Sequence, residues 1–332
     1  MKELFNRVGS LELAKSISEL ESTVFIVSAP EWIQKKKVVE KTRGDICQQE
    51  LKPRNVIQVK YQSKGVNEER IIVDQFSIRY NGGEEIIYDS LDIEAMKKFI
   101  SDVNSKYRYI IIDITLINIR FLGAFLAVLP YYNWEKVYFC YTEPGEYMQQ
   151  VNEEMRTFDM KYSTLGFDEI PNLETMGDNT SVCEWVVFMG FEGGRLKKLD
   201  AEAAPQRKYV IPVMCIPSMQ VEWHNYAIET NMEFIEGLRE TEQLKFVSAV
   251  NPFEVFNFLE DEKQKNNMRM KISPVGTKLT VLGSIMYILE NPDDMLLTDN
   301  PYQEDENSIN YGISYCYDLT CFIKETVNKR FK

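Results

Sequence analysis

The pattern of apolar strand, polar turn, apolar helix and second apolar strand occurs twice in this chain, and it constrains the fold more than anything else. The first copy runs from Tyr109-Ile-Ile-Ile-Asp113 through Ile114-Thr115 and Asn118-Ile-Arg120. It continues into Phe121-Leu-Gly-Ala-Phe-Leu-Ala-Val-Leu129 and then Lys136-Val-Tyr-Phe-Cys-Tyr-Thr142. The second runs from Arg269-Met-Lys-Ile-Ser273-Pro-Val-Gly276-Thr277-Lys278 through Val281-Leu-Gly-Ser-Ile-Met-Tyr-Ile-Leu289 to Asp294-Met-Leu-Leu-Thr298. The two helices align at Leu122-Gly123 and Leu282-Gly283. Continuous apolar strands alternating with helices specify a parallel sheet covered on both faces. In such a sheet the polar turn after a strand is where ligands bind. Two such turns imply two sites, or one composite site between two halves.

The rest of the chain extends this plan. A helix is predicted over 11–21, and strands over Thr23–Ser28 and Asn55–Tyr61. Arg70–Tyr80, Asn81-Gly82-Gly83 and Glu85–Tyr88 form a hairpin, because Asn-Gly suits the tight turn. Asp92 caps a helix over Ile93–Ser105. Residues 164–182 are rich in Gly, Pro, Asn and Asp, so the module boundary is placed there. Beyond it, strands are predicted at Trp185–Phe191, Tyr209–Cys215, Lys245–Val250, Met270–Ser273, Met295–Thr298 and Ile309–Leu319. Helices over 195–203 and 222–238, and from Pro252 and Thr277, alternate with them. The expected fold class is α/β. It comprises two Rossmann-like modules with mainly parallel sheets, related by internal duplication, and an antiparallel hairpin insertion in the first. The expected domains are 1–165, a linker at 166–182, and 183–332. A parallel between Thr142-Glu143-Pro144-Gly145 with Tyr147 and Thr298-Asp299-Asn300-Pro301 with Tyr302 supports the duplication.

Composition narrows the function classes. The chain has 332 residues, 44% hydrophobic and 27% charged, with a net charge of −13. That charge disfavours a general nucleic-acid binder, which needs an excess of Lys and Arg. No stretch reaches the roughly 18–20 apolar residues that cross a bilayer, and the mixed, charged N-terminus does not read as a leader. A cytoplasmic protein is expected. The six cysteines are scattered with no CxxC pair, so they read as reduced core thiols and no metal site is expected. His224 is the only histidine, and it reads as a surface or packing residue. No cofactor is expected.

Three turns at strand ends carry candidate chemistry. In the first, Asp113 closes an apolar strand, followed by Thr115, with Arg120 as its partner. The competing reading makes Asp113 an N-cap or Thr115 the start of the helix. In the second, Gly193 and Gly194 allow close backbone approach, Arg195 binds phosphate, and Glu192 takes a ribose hydroxyl or a proton. In the third, Ser273 ends the strand and Gly276-Thr277-Lys278 opens a helix. That turn would aim backbone N–H groups, a hydroxyl and an ammonium at an anion. It is not a Walker A loop. Its competing reading is a tight turn at Gly276, a cap at Thr277 and a solvated Lys278.

Gly276-Thr277-Lys278 after a strand resembles the Gly-Thr-Lys turn of CARF domains, Rossmann-like sensors of CRISPR systems whose turn lines a pocket for cyclic oligoadenylate. Two such modules in one chain resemble SAVED sensors of antiviral defence. The resemblance covers the architecture and these few residues. The first half departs from it, with Asp113, Thr115 and Arg120 where Gly-Thr-Lys would stand. No effector region is read from this sequence. The resemblance implies a nucleotide-binding sensor or regulatory subunit acting on a separately encoded effector protein. Its ligand would be an anionic nucleotide, cyclic ones included. The alternatives are a nucleotide-metabolising hydrolase or N-glycosidase, using Asp113, Glu192 and Asp299, and a non-catalytic interaction subunit of a defence complex.

Overall fold

The computed structural model describes residues 8–29, 43–66, 71–147, 150–152, 155–157, 164–176, 182–190, 193–203, 207–238, 243–301 and 308–330. The chain forms a mixed α/β structure of two compact units. One holds residues 1–146 and 308–332, and the other holds 147–307. The division therefore falls differently from the expected 1–165 and 183–332, because the last segment returns to the first unit.

The first unit opens with β1 (Val8–Ser10), α1 (Glu12–Ser18) and β2 (Thr23–Ser28). A 3₁₀ turn at Arg43–Asp45 leads into α2 (Ile46–Leu51) and β3 (Val56–Val66). Next come β4 (Ile71–Tyr80), β5 (Glu85–Tyr88), α3 (Ile93–Asn104), β6 (Tyr109–Asp113), α4 (Ile119–Val128) and β7 (Lys136–Tyr147). The second unit contributes β8 (Gln150–Asn152), β9 (Met155–Thr157), β10 (Thr164–Asp168), β11 (Cys183–Met189), α5 (Gly193–Ala203) and β12 (Arg207–Cys215). It continues with α6 (Trp223–Thr230), α7 (Met232–Glu236), β13 (Lys245–Val247), α8 (Pro252–Asn266), β14 (Met270–Pro274), α9 (Lys278–Glu290), β15 (Met295–Leu296) and β16 (Thr298–Pro301). The chain then re-enters the first unit through β17 (Ser308–Asp318) and α10 (Thr320–Arg330).

The first sheet has the order β1-β17-β7-β6-β2-β3-β4-β5. Its centre, β7-β6-β2-β3, is parallel. These are the strands with unbroken apolar runs, such as Val24, Phe25 and Ile26 on β2 and Ile110, Ile111 and Ile112 on β6, all at 0–1% exposure. The β3-β4-β5 meander extends the sheet antiparallel at one edge, as the Asn-Gly signal implied. Asn81 and Gly82 take φ of 49° and 72°, the positive values a primed hairpin turn requires. One face packs Phe76, Phe99, Phe121 and Phe125 with Tyr88, the Phe76 and Tyr88 rings stacked at 4.5 Å. The other face lies in a core cluster with residues of α1 and α2.

The second unit's sheet has the order β13-β12-β11-β14-β15 and is parallel throughout. Helix α9 is buried from Leu279 to Leu289, as an all-apolar helix must be. Gly283 lets it approach α8: a Cβ there would stand 2.4 Å from the Pro252 carbonyl oxygen and 2.6 Å from Val255 Cβ. Asp294, fully buried, accepts from Lys263 Nζ at 2.8 Å, Tyr287 OH at 2.6 Å and the Met270 N–H at 2.8 Å.

Three expectations change. The strand read at 309–319 as the sixth of the second module lies between β1 and β7 in the first sheet. The apolar pattern of a strand carries no local mark of which sheet it joins. The helix expected over 222–238 breaks into α6 and α7 at Asn231, whose side chain turns to bond backbone carbonyls. The segment read as a linker over 166–182 begins inside β10, which pairs with β16. No helix among the described residues is long and apolar enough to cross a membrane.

Candidate functional site

Each sheet reverses its winding once. Strand connections run one way on one side of that point and the other way beyond it, which leaves a crevice at the strands' carboxyl ends. In the second unit the reversal lies between β11 and β14. The turns that follow these strands meet there. A Cβ on Gly190 would stand 2.5 Å from the Val275 carbonyl oxygen and 3.2 Å from Gly276 Cα, so only glycine permits the contact. Gly276 is hemmed in likewise, with Cys215 Sγ and Thr280 Oγ1 each 3.1 Å from where a Cβ would lie.

Thr277 is the N-cap of α9, its hydroxyl oxygen accepting from the Thr280 N–H at 3.3 Å. The same hydroxyl donates to the Ala249 carbonyl at 3.0 Å, tying this turn to the one after β13. Lys278 is the first residue of α9 and is half-buried. Beside them the Cys215 thiol is pushed up to about 12 by burial, although the Thr277 N–H points at the sulfur and opposes that shift. It is a poor nucleophile at neutral pH. Asn231, 3% exposed, donates from Nδ2 to the carbonyls of Gly190 and Ala227, each at 2.7 Å. Reading the sequence for motifs missed this residue, because an Asn inside an amphipathic stretch looks like any solvated polar side chain.

The other candidates are engaged elsewhere. Ser273 is fully buried, and its oxygen accepts from Trp185 Nε1 at 3.0 Å inside the core. Gly193 and Gly194 open α5. Arg195 pairs with the buried Asp299, and Glu192 lies outside the described residues. The second unit thus sets Gly190, Cys215 and Asn231 about the turn of Gly276, Thr277 and Lys278.

In the first unit the reversal lies between β2 and β6. Asp113 and Thr115 are there, both at 1% exposure, but they face each other. Asp113 Oδ1 accepts from the Thr115 N–H at 3.0 Å and from its hydroxyl, and Thr115 Oγ1 accepts from the Thr142 N–H at 3.0 Å. Through Thr115 the Asp113 carboxylate links the end of β6 to β7. Neither residue caps the helix; Asn118 does, accepting from the Arg120 N–H at 2.8 Å. Arg120 pairs with the hairpin. Its guanidinium holds Asp74 on β4 through Nε at 3.1 Å and a terminal nitrogen at 2.8 Å, and Tyr61 OH donates to the same carboxylate at 2.6 Å. A small polar pocket of about 40 Å³ opens nearby, lined by Ser28, Gly44, Asp45, Gln48, Gln58, Val27 and Leu116.

Glu143 on β7 is 2% exposed, and burial raises its carboxyl above the usual range despite bonds from the Ile313 N–H at 3.0 Å and Tyr315 OH at 3.4 Å. His224 sits half-buried at the start of α6. Among the described residues no group of three His, Cys, Asp or Glu side chains is placed to hold a metal ion. Compared with known protein families, curated proteins and solved structures, the chain matches none.

Proposed function

We propose that this chain is a nucleotide-binding sensor or regulatory subunit built from two Rossmann-like modules related by duplication. The observation that carries the reading is the winding reversal between β11 and β14, with Gly190 against Val275 and Gly276 at the mouth of α9. There the backbone N–H of Gly276 and the Lys278 ammonium would take phosphate oxygens. A helix N-terminus favours negative charge, and an ammonium at its first residue adds to that field. Arg195 drops out of the phosphate role proposed from sequence, because Asp299 holds it. The ligand class is an anionic nucleotide, cyclic ones included. The Gly276-Thr277-Lys278 turn supports a role in bacterial antiviral defence through a separate effector protein.

A sensor binds without consuming its ligand. Catalysis by Asp113 or Asp299 would require breaking an internal hydrogen bond or an ion pair first, so the binding reading is preferred to a hydrolase or N-glycosidase. The test is thermal-shift screening against mono-, di- and cyclic nucleotides, followed by chromatography of each mixture. A ligand at about 100 times its Kd stabilises the native state by about 2.7 kcal/mol. The expected result is a raised Tm with the nucleotide recovered intact, lost in Lys278→Ala and partly kept in Lys278→Arg. No shift with any nucleotide would remove this reading; consumed nucleotide would replace it with the hydrolase.

A further inference from the structure

Three of the six cysteines meet in the core of the first unit. Cys47 on α2, Cys140 on β7 and Cys316 on β17 are each at 0% exposure within one cluster. Cys140 shares that cluster with both other thiols, and Cys47 Sγ lies 3.3 Å from Thr142 Oγ1.

Strand register decides which pair is poised for a bond. The Leu319 N–H donates to the Val137 carbonyl at 2.9 Å, the Ile313 N–H reaches the Glu143 carboxylate at 3.0 Å, and the Thr142 and Ser314 hydroxyls are 2.8 Å apart. These contacts share one antiparallel register, and it sets Cys140 directly opposite Cys316. Hydrogen-bonded and non-hydrogen-bonded pairs alternate along an antiparallel ladder. The Leu319 N–H to Val137 carbonyl bond fixes the phase of the ladder, so Cys140 and Cys316, three positions along, fall at a non-hydrogen-bonded position. There Cα atoms lie about 4.5 Å apart, within the roughly 4.4–6.8 Å that a disulfide spans. The next pair of the same kind on the same face, Thr142 and Ser314, already brings its side-chain oxygens into contact.

We propose that Cys140 and Cys316 form a reversible cross-strand disulfide in response to a peroxide-class oxidant, fastening the returning strand β17 to β7. Cys140, as thiolate, attacks one peroxide oxygen and becomes a sulfenic acid while hydroxide leaves and takes up the thiol's proton. Cys316 then attacks the sulfenic sulfur, its own proton departing with the oxygen as water. Two thiols lose two electrons, peroxide gains them, and the products are one disulfide and two waters. A dithiol reductant reverses the change. The resting thiols are shielded, and their contacts with one another and their burial hold the Cys140 thiol well above its ordinary value. Reaction therefore waits for the sheet edge to open. Among the described residues only β1, three residues long, lies outside β17, and short edge elements open at lower cost than a core.

The test uses the full chain carrying Cys321→Ser, which removes the exposed thiol. The protein is treated with hydrogen peroxide, alkylated under native conditions and then in denaturant, and digested without reduction for mass spectrometry. The expected product joins the peptides containing Cys140 and Cys316, is lost with dithiothreitol, and forms at a rate that levels off as peroxide is raised. The oxidised protein should melt about 5 °C or more higher, because the bond closes a loop containing the whole second unit. A Cys47–Cys140 link, or thiols that stay reduced until the protein is unfolded, would overturn the proposal.

Discussion

Arg120 and Asp74 show how much a single buried charge depends on its partner. Their side chains are 6% and 7% exposed, so neither is solvated if the other is removed. Arg120→Met should cost about 3–5 kcal/mol in urea unfolding, while Arg120→Met with Asp74→Leu should cost clearly less, since a buried pair lost together leaves no stranded charge. If both variants lose the same amount, the pair is not what holds α4 to the hairpin. Glu143 makes a different demand. Its native carboxyl keeps its proton to higher pH than it would unfolded, so folding takes up protons in that interval. Its contribution is greatest below about pH 4.3, the unfolded value, and declines as pH rises through the raised native value. Glu143→Gln should therefore raise Tm at pH 8 more than at pH 4, and Tm curves that stay parallel across that range would refute this. The charged pairs are also where sequence reasoning fell short. Asp113 and Arg120 sit close in sequence at one strand end, yet Arg120 binds a residue of the hairpin, and nothing local to either side chain announces that.

At the scale of elements, the sequence was legible wherever a segment's own pattern determined its structure. Unbroken apolar runs located β2, β6, β11, β12 and β14. Asn-Gly located the β4–β5 turn, and Asp92 capped α3, accepting from the Ala95 N–H at 2.8 Å. It was less legible where an element answers to a neighbour. Asn231 divides one expected helix in two because Gly190 and Ala227 offer carbonyls to it. The Leu-Gly of the α9 segment proves to be a packing device. Gly283→Ala should force α9 away from Pro252 and Val255 and destabilise the protein by about 1–3 kcal/mol. Denaturant titration checks this, and a change within about 0.5 kcal/mol, the scatter of an ordinary surface substitution, would mean that α8 yields without strain.

For the whole molecule, the topology makes the second unit an insertion. It leaves after β7 and returns as β17, and these two strands are antiparallel neighbours. The crossing point is tight: a Cβ on Gly145 would stand 3.2 Å from both Asn310 Cβ and the Tyr311 nitrogen. The second unit thus occupies the place of a hairpin loop, and it has a parallel sheet and a core cluster of its own. A fragment of residues 147–307 should unfold cooperatively in urea, and a non-cooperative, molten transition would show that it depends on the rest of the chain. Residues 1–146 alone should be unstable, because they lack a strand from inside their sheet. Synthesis gives this arrangement a clock. At about 5–20 residues per second, β7 leaves the ribosome and then waits roughly 10–30 s for β17, with its edge uncovered, while a complete second unit is made.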